Sequence, residues 1–427
     1  MHSQRRMLND EVHARPNLPV TTPARVISFA LLHHGQLDAQ RQALAALLQH
    51  WQCRAAAADC SHHVACVGDV TLRWALHTEF VRYTLLKPEH AVGFDDRLWQ
   101  QFPRGWWQTL PGELLMASQL LVIDETGDNA TALAHRHSWF QEEEWVGAEL
   151  ALGKALALTD LRLYPEPLVP GGASRMVLIN RSMRAGQTGR MVQRLFEIET
   201  YRMLALLALP IAKQQMQQID HIRHQLNAIT EQLLERDDDR HTLQQLSALS
   251  AQAEALIGDS QYRFSAARAY HALVARRIEE LREQRLEGIQ PFSEFLQRRL
   301  LPALDTCETV SQRQERLNAR LQRATALLRT RVEITREEQN QQLLSSMNTR
   351  AELQLRLQQT VEGLSVLVLT YYASGLLGYG LKALNATGIA LPVDLIVGGS
   401  VPLMLVGALL VTRRIRRRNA PPAMTEQ

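Results

Sequence analysis

The hydrophobic positions of this chain change period as it proceeds. From Arg25 to Leu32 they run almost without interruption, as in a buried strand, and Leu37, Leu44, Leu47 and Leu48 then fall on one face of a helix over residues 37–51. Strands are predicted at 63–68, 70–76 and 79–86; in the second, Val70, Leu72, Trp74 and Leu76 alternate with Thr71, Arg73 and Ala75. Another is expected at 113–123, one or two within 146–164, and a last at 175–179 after Pro170-Gly171-Gly172. Neighbouring strands with few helices predict an α+β domain over residues 25–185 built on a mainly antiparallel sheet.

From Gln187 the period becomes helical, and residues 187–305 read as a helical, coiled-coil region. Ile219, Ile222, Leu226, Ile229 and Leu233 form a heptad seam that ends at the acidic turn Asp237-Asp238-Asp239. A second helix over 243–257 is expected to pause at Gly258-Asp259-Ser260 and resume over 264–287, and Pro291 and Pro302 to bracket a short one. Residues 306–360 contain neither proline nor glycine, which predicts a stalk helix of roughly 80 Å. Its seam of Val310, Leu317, Leu321, Ala324 and Leu328 lapses through 329–342 and returns at Leu344, Met347, Ala351 and Leu355.

Two apolar stretches follow, 361–381 and 391–411, each near the ~20 residues that span a bilayer as a helix. Arg413, Arg414, Arg416, Arg417 and Arg418 open the basic tail over 412–427, whereas Lys382 alone is basic in the loop between the stretches. The pattern predicts a transmembrane hairpin with both flanks in the cytoplasm. Ser374, Gly375 and Gly378 on the first stretch, and Gly398, Gly399, Ser400, Gly407 and Ala408 on the second, permit close helix approach. Asp394 is the one ionisable residue just inside the second stretch, either a functional intramembrane acid or an anchor at headgroup depth.

Composition alters this picture little. A chain of 427 residues, 46% hydrophobic and 21% charged, has material for two or three domains. The net charge of +3 owes much to the arginine tail and points to a membrane surface, not to nucleic acid. Four cysteines with no disulfide pattern suit a reducing compartment, and the N-terminus lacks the apolar core of a signal peptide. The expected location is a membrane crossed twice, with the N-terminal part and the tail in the cytoplasm.

Chemistry is harder to find. Residues 1–24 read as an extended arm led by Pro16, Pro19 and Pro23, in which Asp10, Glu11, His13 and Arg15 form either a polar ligand site or a salt-bridged strap. Cys53, Cys60, His62, His63 and Cys66 lack the paired spacing of a zinc site and read as structural cysteines and surface histidines. The aromatic stretch Trp99, Phe102, Trp106 and Trp107 reads as a satellite core under a loop, and Glu197, Glu199 and Arg202 as solvated or interface pairs on a helix. Nucleophile elbows, phosphate loops and dinucleotide fingerprints are absent from the sequence, so no enzyme and no cofactor is assigned.

Several motifs carry a resemblance: Leu8–Pro16 (LNDEVHARP), His77–Phe80 (HTEF), Leu195–Leu209 (LFEIETYRMLALLAL), Tyr262-Arg263-Phe264, and Leu357–Gly363 leading to Tyr371-Tyr372, Gly375 and Gly378-Tyr379. Together they resemble a bacterial family of membrane-anchored proteins catalogued as a domain of unknown function. The resemblance covers nearly the whole chain, implies an inner-membrane protein, and brings no catalytic residues. The order of segments is also similar to that of CorA-type divalent-cation transporters, although the Gly-Met-Asn those carry at the outer end of the first span is replaced here by Gly378-Tyr379-Gly380. Two functional expectations result. One is a scaffold, sensor or regulatory protein held in the lipid bilayer and self-associating through its helices; the other is an oligomeric divalent-cation channel, in which Asn340, Ser345, Asn348 and Asp394 face a common axis, while Gly375, Gly378 and Tyr379 are further candidate functional residues.

Overall fold

In the computed structural model, the described residues are 17–89, 93–124, 136–141, 145–232, 239–386 and 392–418, with His2, Arg5 and Asn9. The chain forms two compact units, Met1–Thr325 and Ala326–Gln427.

The first unit is built on one sheet of eight strands: β1 (Ala24–Leu32), β2 (His62–Val67), β3 (Val70–Leu76), β4 (Phe80–Pro88), β5 (Glu113–Asp124), β6 (Val146–Leu150), β7 (Ala155–Glu166) and β8 (Val169–Asn180). Their spatial order is β2-β3-β4-β1-β5-β8-β7-β6, antiparallel throughout except for the central β5–β8 pair. The fold is α+β, with eight strands where the sequence pattern located seven or eight, and β8 begins six residues before the predicted 175–179 segment.

Both faces of the sheet are buried. On one, helix α1 (Leu37–His50) and the segment around the short helix α2 (Trp106–Thr109) cover Ile27, Phe29, Leu31, Leu72, Trp74 and Tyr83. Trp99, Phe102 and Trp106 all pack into this core. The other face lies under α4 (Ala185–Leu206) and α6 (Asp239–Leu281), which share one core with the sheet through Met191, Leu195, Phe196, Val274 and Leu281. The short helix α3 (Arg136–Trp139) precedes β6, and α5 (Ala208–Gln232) follows α4 and leads to α6. The last helices are α7 (Phe292–Ala386) and α8 (Val393–Arg418).

Two helix boundaries differ from those expected. Helix α6 passes through Gly258 without a pause: the ~1 kcal/mol cost of a helical glycine is offset by burial of its neighbours Ala253, Ser260 and Phe264. Pro302 lies inside α7 instead of ending a short helix. Its missing N–H removes one ladder bond, while buried Leu300, Cys307 and Val310 hold the helix on either side. The heptad seam on α5 is buried at Ile219, Ile222, Leu226 and Ile229; Leu233 and the Asp237-Asp238 turn lie outside the described residues.

A neutral polar knot joins α5, α6 and α7. The Gln314 amide donates to Gln215 Oε1 at 2.6 Å, to Ser260 Oγ at 3.1 Å and to the Leu256 carbonyl at 3.2 Å, and Gln215 donates to the same carbonyl at 2.9 Å.

In the second unit, α7 and α8 are both long and apolar enough to cross a membrane. Along α7, Val366 and Thr370 are buried and Ser374 and Gly378 half-buried, a stripe at helical spacing. A β-carbon on Gly378 would lie 3.7 Å from Val397 Cγ2 of α8, so this glycine faces the partner helix, while Gly375 faces open space.

Candidate functional site

Strand alternation brings a row of small and charged polar side chains across the sheet face under α4. Arg73 pairs in register with Thr84, Thr84 with Ser28, Ser28 with Ser118, and Ser118 with Ser174, so five strands contribute to one level. Ser28 Oγ lies 3.1 Å from Thr84 Oγ1. At the β3–β4 end this row opens into a cleft of about 230 Å³ lined by Arg73, His77, Arg82, Gln193, Glu197 and Arg277. A smaller cavity of about 30 Å³, lined by Leu18, Val20 and Val192 among others, shares Arg73, Arg82, Thr84 and Gln193 with it.

The cleft wall on the helix side is an ordered charge relay. Arg73 Nη1 donates to Gln193 Oε1 at 2.8 Å, and Gln193 Nε2 donates to Glu197 Oε1 at 2.6 Å. Glu197 also accepts from Arg277 Nε, and Arg277 and Arg194 converge on Glu280 at 2.9 and 3.0 Å. Burial lowers the proton affinity of Arg277, but the Glu197 carboxylate outweighs it and holds the guanidinium firmly charged. Glu197 and Glu199 are buried, so of the two expected readings the pairing is of the interface kind and not solvated: Glu197 meets Arg277 of α6, and Glu199 takes the i,i+3 partner Arg202, at 2.7 Å.

Arg82 is different. It is 5% exposed, opposite Ala75 on β3 and Ala30 on β1, with its guanidinium 5.7 Å from the Phe80 ring. Its Nε and Nη2 are buried without a hydrogen-bond partner among the described residues.

The β3–β4 turn at the edge of the cleft is tied to α6 through Glu79. Its carboxylate accepts from Tyr262 Oη, from Tyr270 Oη at 2.7 Å, and from Arg263 Nη2 and Nη1 at 3.1 and 3.3 Å. Burial pushes the Glu79 carboxyl up, but the two phenols and the guanidinium together outweigh it and hold it below the usual glutamate range. Beside it His77 stacks on Phe80, with ring centroids 4.3 Å apart.

The inner end of the cleft is closed by the described end of the N-terminal arm. Val20 N–H donates to the Ala185 carbonyl at 2.9 Å, and Leu18 crosses Gly189 so closely that a β-carbon there would sit 1.8 Å from the Leu18 carbonyl oxygen. Gly189→Val is therefore expected to lift residues 17–20 off α4 and destabilise the unit by about 1–3 kcal/mol, as overpacking does. Hydrogen exchange of the Val20 amide, sharply faster in the variant with α4 still protected, is the readout.

Of the residues singled out from sequence, Asp10, Glu11, His13 and Arg15 lie outside the described residues. Asp394 is exposed in the first turn of α8, where a carboxylate complements the helix dipole, and Tyr379 is 76% exposed on α7. Neither Asp394 nor Tyr379 is among the residues that line the cleft. His62 and His63 stand on β2, and the Cys53 thiol lies 3.5 Å from the Cys66 carbonyl; among the described residues no three His, Cys, Asp or Glu side chains are grouped as metal ligands. What sequence reasoning missed is the pair Arg73 and Arg82. Arg73 occupies a polar position of an alternating strand, which reads as solvent-facing until the sheet proves to be covered on both sides. A connection between the HTEF and Tyr-Arg-Phe motifs, 183 residues apart at Glu79 and Tyr262, was the available signal.

Fold and site thus define an α+β protein with a charged cleft between sheet and helices, continuing into two apolar helices of membrane-spanning length. The chain belongs to the DUF3422 family, described as proteins of unknown function, whose profile matches residues 1–419. No curated protein matches the chain. Among solved structures, that of the full-length CmaX protein aligns over 70% of this chain and 89% of its own, at 16% identity and a TM-score of 0.16.

Proposed function

We propose that this protein is a membrane-anchored binding and regulatory protein: the sheet–helix unit is its receptor part, and α7 and α8 hold it in a bacterial inner membrane. One observation carries this reading. The single helix α7 contributes Leu296, Leu300, Val310 and Leu321 to buried positions of the first unit and also contains the apolar stretch 361–381 of the second. The receptor unit and the membrane segment are therefore covalently one element, and Arg413, Arg414, Arg416, Arg417 and Arg418 at the end of α8 favour a cytoplasmic face for both ends. Self-association is supported by the seam Leu344, Met347 and Leu355, which is exposed along α7.

Fractionation tests the anchor. The full chain is expected to stay with membranes through high salt and alkaline carbonate and to be released only by detergent, while deletion of residues 361–411 moves it to the soluble fraction. Release of the intact chain by salt alone would refute the reading. Light scattering of the detergent-solubilised protein gives its subunit number. Divalent-cation flux in protein-containing liposomes would instead assign the hairpin to a pore.

A further inference from the structure

We infer that the cleft between β3, β4 and α4 is a binding site for a small soluble oxyanion, a carboxylate or phosphate group, with Arg82 as its principal ligand and Arg73 as the second. The inference rests on the reading of the sheet–helix unit as a receptor part, and not on the membrane anchor.

The argument begins with cost. A buried guanidinium is stable only when its charge and its donors are met, because desolvation of an isolated ion far exceeds any gain from packing. Elsewhere the charge of a buried guanidinium is met by carboxylates: Arg25, 1% exposed, has Glu89 at 3.1 Å and Asp95 beside it, although its Nε is left without a hydrogen bond, and Arg202 and Arg277 each have a buried carboxylate. Arg82 is as deeply buried, yet no carboxylate among the described residues lies within ion-pair distance, and two of its nitrogens are unmet. The Phe80 ring at 5.7 Å supplies only weak compensation.

The unmet donors adjoin a space. Among the described residues the 230 Å³ cleft is bordered by Arg82, Arg73 and Arg277 and by one acid, Glu197, which Arg277 and Gln193 already engage. Arg82 is the guanidinium there whose buried nitrogens are unmet. A planar guanidinium offers parallel N–H donors that match a carboxylate or phosphate oxygen pair, and Arg73 stands two registers away on the same sheet face, its position set by Gln193. The volume admits a ligand of a few heavy atoms beyond the anionic group, and the polar row Thr84, Ser28 and Ser118 ends at its floor; Ser118 Oγ is itself buried without a partner among the described residues. Glu79 fixes the turn joining the two arginine-bearing strands, so it acts as a positioning residue.

The test uses the full chain in nonionic detergent without added lipid, at constant ionic strength set with chloride. Calorimetric titration with inorganic phosphate and, separately, succinate is expected to show saturable one-to-one binding for at least one of them, with a matching rise in Tm. Arg82→Met should weaken that binding at least tenfold while leaving the ligand-free Tm equal to or above that of the parent protein, because a buried unpaired charge has been removed. Arg82→Lys should retain weakened binding, since it keeps charge without the paired donors. The inference is overturned if neither anion binds, if Arg82→Met binds as the parent does, or if Arg82→Met lowers the ligand-free Tm, which would make the arginine structural. Binding seen only in bilayers containing phosphatidylglycerol would replace the soluble ligand with a lipid headgroup and equally overturn it.

Discussion

Glu79→Ala is expected to destabilise the first unit by about 2 kcal/mol, the scale of taking the shared charged acceptor from the half-buried Arg263 and Tyr270 and the exposed Tyr262. Three donors from α6 converge on this carboxylate, so no single neighbour replaces it. Tyr270→Phe removes one of the contacts and should cost about 1 kcal/mol. The carboxylate also sets a pH dependence. Its folded value is depressed, so the stability it contributes is complete above the ordinary value of 4.5 and is lost as pH falls through the lower folded value. Chemical denaturation of the parent and of Glu79→Gln should therefore show a gap that is constant near neutrality and closes in acid. A gap independent of pH would show that the charge is not what holds α6 to the turn.

Phe29→Ala should cost about 3–5 kcal/mol, at the upper end for core truncations. Phe29 is fully buried on β1 and stacks on Tyr83 at 4.9 Å, with Trp107, Phe102, Trp106 and Trp99 at 4.7, 5.5, 6.1 and 6.2 Å. Removing the ring leaves a void bounded by rigid indoles that cannot close in. Tryptophan fluorescence reports the change directly, and Phe29→Leu, which fills most of the volume, should recover more than half of the loss. A cost below about 1 kcal/mol would mean that the aromatic segment can collapse onto β1, contrary to tight packing.

The fold was largely legible because its elements announce themselves by period. Val70, Leu72, Trp74 and Leu76 gave β3 to the residue, and the proline- and glycine-free run from 306 belongs to one helix. Boundaries failed where packing overrides local preference, at Gly258 and Pro302. The site was less legible, since it depends on pairing between distant strands. Nothing in the local sequence says that Arg73 and Arg82 share a covered face, because in an isolated hairpin that same face would meet water. The expectations for the N-terminal acid–histidine–arginine cluster and for Asp394 followed residue chemistry alone, whereas the cleft arises from register.

The amide knot at Gln314, Gln215 and Ser260 bears on how α7 can move against its neighbours. Its bonds are uncharged, so neither pH nor salt loosens the knot itself, unlike the exposed Arg268–Glu308 pair between α6 and α7. Sliding α7 by one turn, about 5.4 Å, would break every bond in the knot and bury an unpaired amide. The knot is a latch against piston motion. Gln314→Leu removes the donor that ties the three helices together and is the single change that would free α7 to slide against α5 and α6.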